Sequence, residues 1–178
     1  MPLIEPFSNT TSALKKAGLV PEILGDFNAS ALLTIILPSG SVSLGAEVPI
    51  SETVAPPGIA IAAVPKDEDI SADGLLKNEA NQARYTVAMF DPDAPSAANP
   101  TSRQFRHWVI TGLTANEDPA APALQTTQAA NEYRPPGPPK GSGLHRYKAR
   151  RRWDAVKFGQ QNGLELVGAA FYLVRSEE

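Results

Sequence analysis

The chain has 178 residues, of which 42% are hydrophobic and 20% charged, with 17 prolines, no cysteine and a formal net charge of -3. That length favours a single domain spanning 1–178 with a sizeable core. The acidic balance gives no global attraction to nucleic acid or anionic membrane, and the lack of cysteine excludes disulfides, thiolate chemistry and cysteine-ligated zinc. The opening residues show no basic stretch followed by an apolar run. No apolar run approaches the roughly 20 residues of a membrane helix. The expectation is a cytoplasmic protein without signal peptide or transmembrane segment.

In chain order, Ser12–Ala17 reads as a short helix stopped by Gly18, and Pro21 opens a further turn through Leu24. Strand patterns then take over. Ala31–Leu37 is an apolar run that ends at the turn Pro38-Ser39-Gly40, with Val42–Val48 as its hairpin partner. Gly58–Val64 is a second apolar run, ended by Pro65, and Lys66–Ala83 is a polar loop. Arg84–Phe90, Phe105–Leu113 and Leu166–Val174 are the remaining strand candidates. Trp153–Asn162 has helical spacing, with Gly163 as its stop. Many strands with few, peripheral helices predict a mainly β, antiparallel fold.

Three segments carry chemistry. Asp91-Pro92-Asp93-Ala94-Pro95 closes a strand with two carboxylates in a turn stiffened by proline. Asp-Pro is also a common turn starter, so turn chemistry alone accounts for these residue types. Arg103–Trp108 carries His107 into the next strand, where it reads either as a satisfied core histidine or as a ligand-facing one. Gly137–Tyr147 contains glycines at 137, 141 and 143, whose backbone N–H groups can approach an anion closely, with Pro138 and Pro139 as apolar wall. A histidine within a few ångströms of Asp91 is expected to favour the imidazolium, which would attract an anion. The histidines and aspartates lack metal-ligand spacing within one element, so neither metal nor cofactor is expected. Gly141-Ser142-Gly143 is not a serine hydrolase elbow, because Lys140 and Leu144 stand at the two glycine positions of G-x-S-x-G.

Taken together, the DPDAP turn, the histidine flanked by aromatics and the GPPKGSGLHRY stretch resemble the phosphatidylethanolamine-binding protein family. The N-terminal ALKKAGLVPEILGDF and the C-terminal WDAVKFGQQNGL fit its fungal and yeast branch, which includes inhibitors of carboxypeptidase Y. The resemblance implies an antiparallel β-sheet or sandwich fold with a few peripheral helices. It also implies a pocket for phosphate, phosphonate or carboxylate groups, including a phospholipid headgroup. Carried over by position, Asp91, Pro95, His107, Gly137, Pro139 and Tyr147 are the ligand-binding residues, and Asp93, His145 and Arg146 hold the pocket walls. No catalytic residue is expected. The implied role is a binding protein that regulates a partner, a serine carboxypeptidase or a kinase. The alternative is an accessory protein or enzyme of a fungal secondary-metabolite pathway that holds a dicarboxylate or maleic anhydride intermediate, with His107 as acid or base.

Two departures from the family pattern stand out. Arg106 precedes His107 where relatives often carry a histidine or another residue, which adds a positive charge. After Tyr147, relatives continue into an apolar strand, whereas this chain runs at once into Lys148-Ala149-Arg150-Arg151-Arg152-Trp153. If that strand is internal to a sheet, its loss leaves neighbouring backbone groups unpaired, at about 1–3 kcal/mol for each buried one.

Overall fold

Leu14 and Leu19 fix the start of the molecule. In the computed structural model, which describes residues 4–63, 83–102, 104–116, 118–125, 127–146 and 154–176, helix α1 spans Ile4–Lys16. It is longer than the stretch expected from sequence, because the polar run Ser8–Thr11 conceals helical periodicity. Its end is as expected. Gly18 adopts φ 64°, and its N–H donates to the Lys15 carbonyl while Leu19 N–H donates to that of Leu14, both at 2.9 Å. This is a Schellman cap, completed by contact between two side chains that are each 1% exposed. They pack with Val20, Ile23, Leu24, Phe90, Ala169 and Phe171. Leu14→Ala is expected to cost about 2–5 kcal/mol, read from the urea midpoint.

Three antiparallel sheets follow. Strands β1 (Ala31–Leu37), β2 (Gly40–Val42) and β3 (Gly58–Ala63) form one, in the order β2-β1-β3. Strands β4 (Tyr85–Asp91), β5 (Phe105–Thr114) and β6 (Leu124–Gln125) form the second, in sequence order. Strands β7 (Leu144–Arg146) and β8 (Leu173–Arg175) pair as the third. A 3-10 turn at Ile50–Thr53 and helix α2 (Ala155–Gln161) complete the elements. The Asp154 carboxylate caps α2 by accepting from Lys157 N–H at 2.9 Å. The mainly antiparallel fold with two helices agrees with the sequence reading. Tyr147, Trp153 and the 66–82 stretch lie outside the described residues.

Two strands differ from expectation. Val42–Val48 does not run on as the partner of β1. The ladder stops at Ile35↔Val42, and beyond Gly45, at φ 77°, the chain crosses to the C-terminal segment. There Gly45 N–H donates to Phe171, Leu173 N–H to Ala46, and Val48 N–H to Leu173. Leu166–Val174 forms a ladder only from Leu173 onward. Before that point it bonds on one side, where Ser30 and Ala31 N–H both donate to the Val167 carbonyl. Gly168 sits so close to that neighbour that a Cβ would lie 2.3 Å from the Ala31 carbonyl oxygen, a position open to glycine alone.

Between β4 and residues 164–172 lies a cavity of about 480 Å³, covered by α2 and floored by Leu33, Ile35 and Ile59. None of the α2 residues is buried. The space is partly open to solvent and is lined by more apolar than polar surface. It is therefore one for water or an occupant.

Candidate functional site

The end of β4 and the start of β7 meet through two side-chain pairs. Asp91 is 3% exposed and Asp93 2%, far below the usual exposure of aspartate, and each is matched. Asp91 Oδ1 accepts from Asp93 N–H at 2.7 Å, an Asx turn within the proline-bounded loop. Asp91 Oδ2 lies 2.8 Å from His145 Nδ1, and His145 is fully buried. Asp93 Oδ2 accepts from both the backbone N–H and the Nε of Arg146 at 2.8 Å, and Oδ1 accepts from Nη2 at 2.5 Å. This fork-on-fork contact is the strong form of the Arg–carboxylate pair. Arg146 Nη1 also donates to the Ala17 carbonyl, which ties the turn to the end of α1. Hydrogen bonding to Asp93 raises the Arg146 pKa against the opposing effect of burial.

His145 therefore has a sharper role than a wall residue: it is the direct partner of Asp91. Its other nitrogen lies 3.0 Å from Ser142 Oγ. The sequence Ser142–His145–Asp91 has the connectivity of a hydrolytic triad, but its hydrogens are committed elsewhere. The Ser142 hydroxyl donates to the Pro139 carbonyl, and the neighbouring Gly143 N–H donates to Ser176 Oγ at 2.9 Å. Without an available hydroxyl proton or adjacent N–H for an oxyanion, the arrangement reads as a structural tie.

His107 enters from β5 and is 4% exposed. Its Nδ1 donates to the Arg134 carbonyl at 2.5 Å, so the neutral ring carries its proton on Nδ1. The Phe105 ring meets it edge-on at 5.0 Å. Asp91 attracts the imidazolium, as the sequence reading anticipated, but the net direction is the reverse of that expectation. Burial is the largest effect and lowers the His107 pKa from 6.5; the Arg134 carbonyl and then Asp91 oppose it, and the Arg134 charge reinforces it. Desolvation outweighs the carboxylate because the ring is almost wholly removed from water. With the folded pKa below the unfolded one, the unfolded chain binds the proton more readily. Stability is thus complete above about pH 6.5 and falls as pH drops through the window below it. In urea titrations at pH 7.5 and pH 5.5, His107→Phe is expected to flatten that fall; an unchanged slope would assign it to other groups.

Of the other residues singled out by sequence, Pro95, Gly137 and Pro139 are exposed, and Tyr147 is not among the described residues. Pro139 contributes through its carbonyl, which accepts from Ser142 N–H at 3.0 Å. Pro136, which sequence reasoning passed over, is the buried member of the proline run. The Arg134 carbonyl was also missed, since a main-chain acceptor leaves no mark in residue type. None of Asp91, Pro95, His107, Gly137 or Pro139 lines the 480 Å³ cavity.

This architecture recurs in solved structures. The carboxypeptidase Y inhibitor, solved in complex with its cognate proteinase, superposes with a TM-score of 0.77 at 24% identity over 98% of both chains. The phosphatidylethanolamine-binding protein of Plasmodium vivax superposes at 0.70 with 20% identity, over 94% of this chain and 98% of that one. An uncharacterised protein of Saccharomyces cerevisiae is 28% identical across 87% of this chain and 84% of its own length. The fold is thus one shared with these mainly antiparallel proteins. Residues 38–150 match the family model for phosphatidylethanolamine-binding protein, and the chain belongs to that family.

Proposed function

We propose that the protein binds a phosphate- or carboxylate-bearing ligand, such as a phospholipid headgroup, beside His107, and that it regulates a serine carboxypeptidase. The observation that carries the first half is the pair of buried contacts, Asp91 to His145 and Asp93 to Arg146. They hold the DPDAP turn against β7, with Asp91 near enough to His107 to act on its charge. Asp91 then serves to hold the turn and to favour the imidazolium once an anion arrives. Gly137, Pro139 and Pro95 are exposed at the rim, where a ligand can reach them. The likeness to an inhibitor crystallised with its proteinase supports the second half, together with the mostly exposed glycine- and proline-rich loop at 135–143 as a presenting surface.

The test is direct. Purified protein at micromolar concentration is expected to retain carboxypeptidase Y on a column and to slow its hydrolysis of a peptide substrate. Neither retention nor slowing would remove the protease from the account. The secondary-metabolite reading draws support from the Nδ1-protonated His107, whose other nitrogen is the basic one. A purified protein that leaves maleic anhydride monomers unchanged eliminates it.

A further inference from the structure

The cavity beneath α2 is walled by backbone on two opposite sides. On one side is β4, which among the described residues pairs with β5 alone; Thr86, Val87, Ala88 and Met89 face the space. About half of the N–H and C=O groups of such an edge strand point outward. On the other side are Gly168, Ala169 and Ala170. No hydrogen bond among the described residues uses their backbone groups, although the same segment is bonded on its far side through Val167 and Phe171. Apolar side chains line the floor, and Val156 and Phe158 of α2 form the roof. Small residues on one wall, backbone at residues 86–89 and 168–170 without a ladder partner on the slot side among the described residues, and an apolar floor are what an extended strand requires on either side. They do not suit a compact ligand, which would leave the backbone rows unsatisfied.

We propose that this slot accepts, in trans, an extended apolar peptide of about five residues that adds as a strand between β4 and residues 166–170. The length follows from the β4 residues on the wall, since each strand residue advances about 3.3 Å. The charge of the rim specifies the flanks. Asp26 and Glu165 are exposed at the lining, and among the described residues no lysine or arginine lines the slot, so the peptide carries basic residues at its ends. Main-chain hydrogen bonds supply affinity, and the apolar floor selects alternate side chains. The site is distinct from the His107 region and does not depend on it.

The probe is a fluorescein-labelled peptide, acetyl-Lys-Val-Phe-Val-Leu-Val-Lys-amide, titrated into the full chain at about 100 μM and below. Saturable binding is expected, at least about tenfold weaker for the same peptide N-methylated at alternate residues, which keeps the side chains but removes donors. Amide exchange at Gly168 and Ala170 is expected to slow on binding. Val156→Trp, which fills the slot from an unburied helix position, is expected to abolish binding while leaving the thermal midpoint in place. Should that variant lose stability, the N-methyl comparison on the native chain decides alone. Four results would overturn the proposal: no binding; equal binding of the N-methylated peptide; binding of dodecylamine but not of peptide, which marks an amphiphile site; or self-association of the chain alone, which marks a second copy as the occupant.

Discussion

Arg146→Met is expected to destabilise the protein by about 3–5 kcal/mol, since it strands a buried carboxylate. Asp93 is 2% exposed, and three of its hydrogen bonds come from Arg146, two from the guanidinium and one from the backbone N–H. The substitution keeps only the backbone contact and also removes the tie to Ala17. At 178 residues, each kcal/mol shifts the thermal midpoint by about 2–4 °C, so a drop of roughly 6–20 °C is expected in calorimetry. Asp93→Asn is expected to cost less, because the Arg146 side chain retains 28% exposure and water can solvate it. The double variant is expected to lose less than the sum of the two. Additive losses would show that the two side chains act independently and that the turn is held by other contacts.

Asp91→Ala is the second large effect, with an expected cost of about 3 kcal/mol in urea denaturation. It deprives the fully buried His145 of its carboxylate at 2.8 Å and leaves Asp93 N–H without its acceptor. A separate reading distinguishes this from general loosening. Asp91 is one of the influences that raise the His107 pKa, so the variant is expected to lower it further, by NMR titration of the ring. An unchanged His107 titration would place the two groups in separate environments.

Local sequence revealed the elements that local forces decide. Ala31–Leu37 was bounded correctly because an apolar β-branched run meets Pro38-Ser39, and the strand that ends in Asp91 was legible from the same pattern. Gly18 marked the helix end because only a residue tolerant of positive φ caps it there. Pairings decided at long range stayed hidden. Nothing in Gly45–Val48 signals that it leaves β1 for Phe171 and Leu173, and β6, two exposed residues, has no hydrophobic pattern to read. The site divided along the same line. The aspartates and histidines were visible as residue types, but the partner of Asp91 lies 54 positions away, and the burial that reversed the expected electrostatics of His107 depends on long-range packing. The departure from the family pattern after Tyr147 falls on residues outside the description.

Phosphate titration followed by NMR at the His107 imidazole tests the central claim most directly. Native protein is expected to show a saturable shift of the His107 ring resonances at millimolar phosphate, with its pKa moving upward as the bound anion offsets desolvation, and Asp91→Ala to respond more weakly. A ring that neither shifts nor changes its titration across that range would contradict anion binding beside His107.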